Sequence, residues 1–253
     1  MKTIHGKSCG WFVEYMIGGS ILPIQGINLN EIFDVQLAGE NLPFVLSGLP
    51  MTLLVSIIGM LIGLVLGLLL ALARNSNYPF LKLPARLYIS FMRGTPMLVF
   101  LFILYFGLPV IGIKLTALMA ACLGFGLNSA AYIAEIDRAS LNSIDKGQWE
   151  SAKALNLTYW QTLRKVILPQ AIRMAIPPLT NVFMDLVKAT SLAAVITVPE
   201  LFQKTQIVAG REFDAMTMYI LVALIYWPIC IVIAFIQERL EAHYSKFIVH
   251  EMA

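Results

Sequence analysis

Asp185 and Lys188 stand three residues apart in an otherwise apolar stretch running from about Ala175 to Pro199. A helix would place them on one face, where each can neutralise the other. An ionised group at mid-bilayer costs about 3 kcal/mol even on the lenient insertion scale, so the pair either neutralises itself at a subunit interface or touches a transported solute or a gate. It would also serve as the coupling site of an ion-driven secondary transporter. Asn128 lies in the middle of another apolar run, where it can line a path or bond a neighbouring helix. Glu135 and Arg138, also three apart, read as a fixed ion pair.

Other chemistry is sparse. Cys9, Cys122 and Cys230 and the histidines His5, His243 and His250 are scattered without metal or redox spacing. Gly6-Lys7-Ser8 looks like the end of a phosphate-binding loop, but Met1 stands where that motif needs its first glycine. No nucleophile elbow, helical metal pair or paired carboxylates occur, so a membrane-embedded enzyme lacks its catalytic constellation.

The elements that must position these residues follow from composition. The 253 residues are 58% hydrophobic and 13% charged, about half the charge of a typical globular domain. A net charge of +3 is too small to argue for a nucleic-acid partner. No charged residue occurs between Glu40 and Arg74, Arg93 and Lys114, Lys114 and Glu135, or Asp214 and Glu238. Each gap holds a helix of about 20 residues, the length that crosses roughly 30 Å of hydrocarbon. With the stretch around Asp185, five spans are expected: about 44–73, 86–108, 115–136, 175–199 and 215–237.

Basic residues concentrate between spans one and two (Arg74, Lys82, Arg86, Arg93) and between spans three and four (Arg138, Lys146, Lys153, Arg164, Lys165, Arg173). The positive-inside rule puts both loops and the tail 242–253 in the cytoplasm and the N-terminus outside. Residues 1–41 are expected to form an extracytoplasmic or interfacial segment, because Trp11 to Pro23 is short and contains Glu14. Gly59, Gly63, Gly67 and Ala71 stack small residues on one face of span one, a packing face for another helix.

Residues 137–170 form a long charged loop with helical patterning. They read as two short amphipathic helices, the first closed near Asn156 and the second near Pro169, with Thr158 capping the second. Trp149, Ala152 and Leu155 would offer an apolar face, and Gln148 and Glu150 polar neighbours that set register. The competing reading is that this helix only packs on its own subunit.

The run Gln148-Trp149-Glu150-Ser151-Ala152-Lys153-Ala154-Leu155-Asn156, followed by Val166-Ile167-Leu168-Pro169, resembles the EAA motif of ABC-importer permeases. Ser151 and Asn156 depart from that motif's alanine and glycine. Arg93-Gly94-Thr95-Pro96, the run from Ala130 to Arg138, and Lys188-Ala189-Thr190-Ser191-Leu192 further resemble the polar amino acid branch. The resemblance implies an all-α integral membrane protein with the type I ABC importer permease fold in residues 42–241, five spans and a coupling loop. It implies a permease in the bacterial cytoplasmic membrane that translocates a polar amino acid by alternating access. Its partners would be a cytosolic ATPase that holds the ATP-Mg, a second permease subunit and an extracytoplasmic amino-acid-binding protein. This chain would bind no cofactor or metal itself. Gln148, Trp149, Glu150, Ala152, Leu155, Asn156 and Leu157 would dock the ATPase, and Asn128, Asp185 and Lys188 would border the substrate path. Ala189 stands where family members often carry an acid, which weakens any inference of a cationic solute.

Overall fold

A computed structural model describes residues 32–245. The stretch Trp11 to Pro23, Gly6-Lys7-Ser8, Cys9 and the end of the tail lie outside the described residues. Within them all regular structure is helical.

Helix α1 (Val35–Leu46) is capped by Asp34, whose side chain accepts from the Leu37 amide, and it runs across the boundary expected near residue 41. Helix α2 (Leu49–Asn75) is 27 residues, apolar up to Arg74, and long enough to span. Helix α5 (Ala117–Asn142) is the centre of the bundle: 61% of its most apolar stretch is buried, against 28% for α2.

The small-residue face of α2 is what brings these two together. A Cβ added to Gly67 would lie 2.6 Å from Ile133 Cγ2, and one added to Gly59 would lie 3.2 Å from Phe125 Cβ. Side chains larger than hydrogen would hold the helices apart, so glycine here converts directly into close packing. Ser129 Oγ of α5 donates to the Gly59 carbonyl at 3.4 Å across the same seam.

The expected second span, 86–108, is not one helix. Helix α3 (Pro79–Gly94) and the helical stretch Met97–Ile111, beginning as α4 (Met97–Phe102), meet at an angle of 106°. The cause is local: Thr95 precedes Pro96 and is held extended at φ −99°, ψ 128°, because the proline ring excludes the helical conformation from the preceding residue. The motif Arg93-Gly94-Thr95-Pro96 is therefore a corner.

The 137–170 loop also differs from expectation in one respect. Its first helix, α6 (Lys146–Ala154), does close at Asn156, which adopts φ 54°, while the Leu157 amide reaches back to the Ala152 carbonyl at 3.1 Å and the Asn156 amide to Lys153 at 2.9 Å. This is a Schellman closure with asparagine in the place that usually belongs to glycine. The second helix, α7 (Tyr159–Thr162), starts with a capping box between Thr158 and Gln161 but does not stop at Pro169. A π-turn over Leu163–Ile167 carries it into α8 (Leu168–Ala189) and a 3-10 stretch to Ile196, so Tyr159–Ile196 is one continuous 38-residue helical run that extends the span expected at 175–199 at its N-terminal end. In the π-turn the Leu168 amide bonds to Leu163, which absorbs a proline that would otherwise clash with the preceding turn. The same arrangement occurs at Leu108, whose amide bonds to Ile103 immediately before Pro109.

Helices α9 (Leu201–Glu212) and α10 (Ala215–Ser245) pack with α1 around Val45, Leu201, Val208 and Met218. Glu200 caps α9 from a fully buried position: its carboxylate accepts from the Gln203 amide at 2.6 Å, the Phe202 amide at 2.9 Å and the Tyr226 hydroxyl at 3.1 Å. Burial pushes the Glu200 carboxyl upward from the ordinary glutamate range, and these bonds oppose the shift.

Candidate functional site

Two regions carry the residues singled out above. In the bundle, α5 and α8 border a cavity of about 280 Å³ lined by Met97, Asn128, Ser129, Tyr132, Asp185 and Leu186, among others. Asn128 and Asp185, 57 positions apart in the chain, thus share one wall. Asn128 Nδ2 donates to the Met92 carbonyl at 3.0 Å, so its amide also pins the C-terminal end of α3, while its carbonyl oxygen retains acceptor capacity. Lys188 Nζ bonds to Asp185 Oδ1 at 2.8 Å, but Lys188 does not line the cavity with it. The two side chains are 51% and 75% exposed, so the pair faces out from the open side of the subunit instead of into its core.

Glu135 is no simple partner of Arg138. Its Oε2 accepts from Arg138 at 3.0 Å, and its Oε1 pairs with Arg74 and lies 3.9 Å from Arg93. One carboxylate therefore ties the end of α2, the end of α3 and α5 together. Arg93 also lies over the Tyr132 ring at 5.6 Å. Sequence spacing found the local partner and missed the two distant ones, because helix register reveals neighbours within a helix only. The one available hint was that Arg74 and Arg93 each bound an uncharged run.

The second region is α6. The expected apolar face is divided: Ala152 is buried and Trp149 is half-buried, both facing their own subunit, whereas Leu155 is 75% exposed. Three-residue steps fall about 60° short of a full helical turn, so positions 149, 152 and 155 precess around the axis instead of sharing a face. Trp149 stacks on Tyr159 at 5.9 Å and packs with the cluster of Ile144, Ile167 and Ala171. Gln148 is held by Gln170, whose Nε2 donates to it at 3.2 Å. Gln148, Trp149 and Ala152 thus seat α6 on the membrane helices. Glu150, Leu155 and Asn156 are exposed, and Leu157 is half-buried.

Residues 59–246 match the family described as the binding-protein-dependent transport system inner membrane component. The chain belongs to this family. Among its relatives, the probable amino-acid ABC transporter permease YckA of Bacillus subtilis (strain 168) is 57% identical over 89% of this chain and 100% of its own length. The L-cystine transport system permease TcyB of the same organism is 41% identical over 79% of this chain and 84% of its own. A crystal structure of an amino acid ABC transporter with histidines superposes with a TM-score of 0.79 at 34% identity, covering 83% of this chain and 98% of that one. The methionine transporter MetNI shares the fold at a TM-score of 0.63 and 23% identity, over 83% and 97% of the two chains. The all-helical type I importer permease fold and the multi-pass membrane character are thus established. An ion-coupled secondary transporter, the other reading of Asp185 and Lys188, has no support from these relatives.

Proposed function

We propose that this permease carries a polar amino acid through the cavity bordered by Asn128 and Asp185, with the 137–170 loop and the C-terminal tail cytoplasmic. The observation that carries the reading is the meeting of Asn128 and Asp185 at one cavity inside a chain whose relatives are amino-acid permeases. An amino acid zwitterion presents an ammonium, which suits Asp185 on the cavity wall and the acceptor capacity left on the Asn128 carbonyl oxygen. The exposure of the Asp185–Lys188 pair supports a second permease subunit on that side.

ATP hydrolysis belongs in this reading to a separate cytosolic ATPase that receives α6, and an extracytoplasmic binding protein delivers the solute. The exposed residues Glu150 and Leu155 make the contact, and Gln148, Trp149 and Ala152 hold the helix at its angle. ATPase closure then draws the docking helices of two permeases together and rocks the bundle between two access states.

The test is uptake by the assembled complex in competition with each amino acid in turn. Competition confined to polar amino acids is expected, with Asn128→Ala lowering uptake while the complex stays assembled. Uptake unaffected by any amino acid would remove the substrate assignment. Leu155→Ala should weaken ATPase association without loss of the folded permease, and full retention of association would remove α6 as the docking element.

A further inference from the structure

A second cavity, between α2, α3 and α5, has an excess of positive charge. Arg74 from α2 and Arg86 and Arg93 from α3 line a space of about 440 Å³ together with Glu135. Arg138 binds Glu135 from outside the lining, so a single carboxylate faces four guanidiniums. Arg86 makes no ion pair among the described residues. Leucines complete the wall: Leu83 and Leu87 line the same space and are 59% and 63% exposed. Phe80 and Phe91 continue that outward row along α3, at three- and four-residue steps.

Depth adds a second argument. The uncharged run of α2 ends at Arg74, and an apolar helix of about 20 residues fills the hydrocarbon, so Arg74 and its neighbours stand at headgroup level. A ligand for this space needs a compact anionic group for the arginines and an apolar body for the leucines. Guanidinium forks match phosphate oxygens in pairs. We propose that this cavity holds the phosphate of an anionic phospholipid, with Arg74, Arg86 and Arg93 as its cradle and Leu83 and Leu87 against the acyl chain. Basic pockets between membrane helices are suited to anionic headgroups. The assignment rests on the membrane fold and its charges and not on the identity of the transported solute.

The experiment uses full-length permease in detergent and follows its thermal unfolding with added phosphatidylglycerol, phosphatidylcholine or inorganic phosphate. Phosphatidylglycerol should raise the midpoint at concentrations where the other two do little. Arg86→Gln should weaken the apparent affinity for phosphatidylglycerol about fivefold, which corresponds to about 1 kcal/mol for one basic residue at an anionic surface. Lys82→Gln, on the same helix but outside the cavity lining, should leave that affinity unchanged. Leu87→Asn removes apolar wall without removing charge and should weaken the lipid effect as well. An equal shift with phosphatidylcholine, or no change in Arg86→Gln, would overturn the proposal. So would full reproduction of the effect by inorganic phosphate, which would assign the cradle to a soluble anion.

Discussion

Two carboxylates illustrate how burial and partnership divide the work among single residues. Asp185 is paired and exposed, so its cost is borne when a lipid or a partner helix covers it. Neutralising one member should therefore hurt assembly more than neutralising both: Asp185→Asn or Lys188→Met alone lowers the yield of assembled complex, and the double substitution restores it, read by co-purification. Restored assembly without restored uptake is the outcome expected of a pair that also borders the path. Glu200 is the opposite case, buried and held by two amides and a phenol. Its folded pKa is raised, so the native state holds a proton that the unfolded chain has already lost over the window above the ordinary glutamate value. Stability from this group is complete below that value and falls as pH rises through the folded one. Thermal unfolding followed upward in pH from the ordinary glutamate value, about 4.3, should show this decline, and Glu200→Gln should flatten it. Asp185 and Lys188 were legible because charge in an apolar run is conspicuous. Glu200 was not, since it stands just past the end of the expected span 175–199, where a carboxylate reads as solvated, and only tertiary packing buries it.

Helix ends were more legible than helix faces. Asn156 and Thr158 were readable as a stop and a start because both act through their own backbone and side chain, whatever surrounds them. The division of α6 into a seated half and an exposed half was not readable, since Trp149 finds Tyr159 and Ile167 only in three dimensions. The run through Pro169 was missed for a related reason: a proline ordinarily stops a helix, and the π-turn that rescues it has no composition of its own. At this scale the closure of α6 gives a sharp expectation. Asn156→Leu places a branched side chain at φ 54°, at a cost of about 1–2 kcal/mol, whereas Asn156→Gly removes the strain. The leucine variant should lose ATPase association with the membrane bundle intact, and the glycine variant should keep it, as read by co-purification and by protease sensitivity of the loop.

For the whole molecule, the positive-inside rule predicts an orientation that accessibility can check. Asn77, Lys146 and Gln206 are all exposed and belong to different loops or surface helices. With Asn77→Cys and Lys146→Cys facing the cytoplasm, an impermeant thiol reagent added to intact cells should label neither, and it should label Gln206→Cys. Labelling of Lys146→Cys from outside would invert the assignment and with it the side on which an ATPase could dock. Spans were readable wherever charge-free runs matched the bilayer. The corner at Gly94 to Pro96 was hidden inside such a run, because hydropathy reports what a segment dissolves in and not whether it is straight.

That corner has a consequence for how the protein is made. The stretch after it, Met97–Ile111, is about 15 residues and roughly 22 Å long at the helical rise, too short to cross hydrocarbon by itself. α2 satisfies a translocon alone, but this stretch does not, and much of what it packs on, including Ala121 and Phe125, belongs to α5, which emerges later from the ribosome. The expectation for synthesis is an apolar segment that waits at the membrane surface until α5 arrives to draw it in. The amphipathic α3, with its row of outward leucines and phenylalanines, is suited to serve as its mooring during that interval.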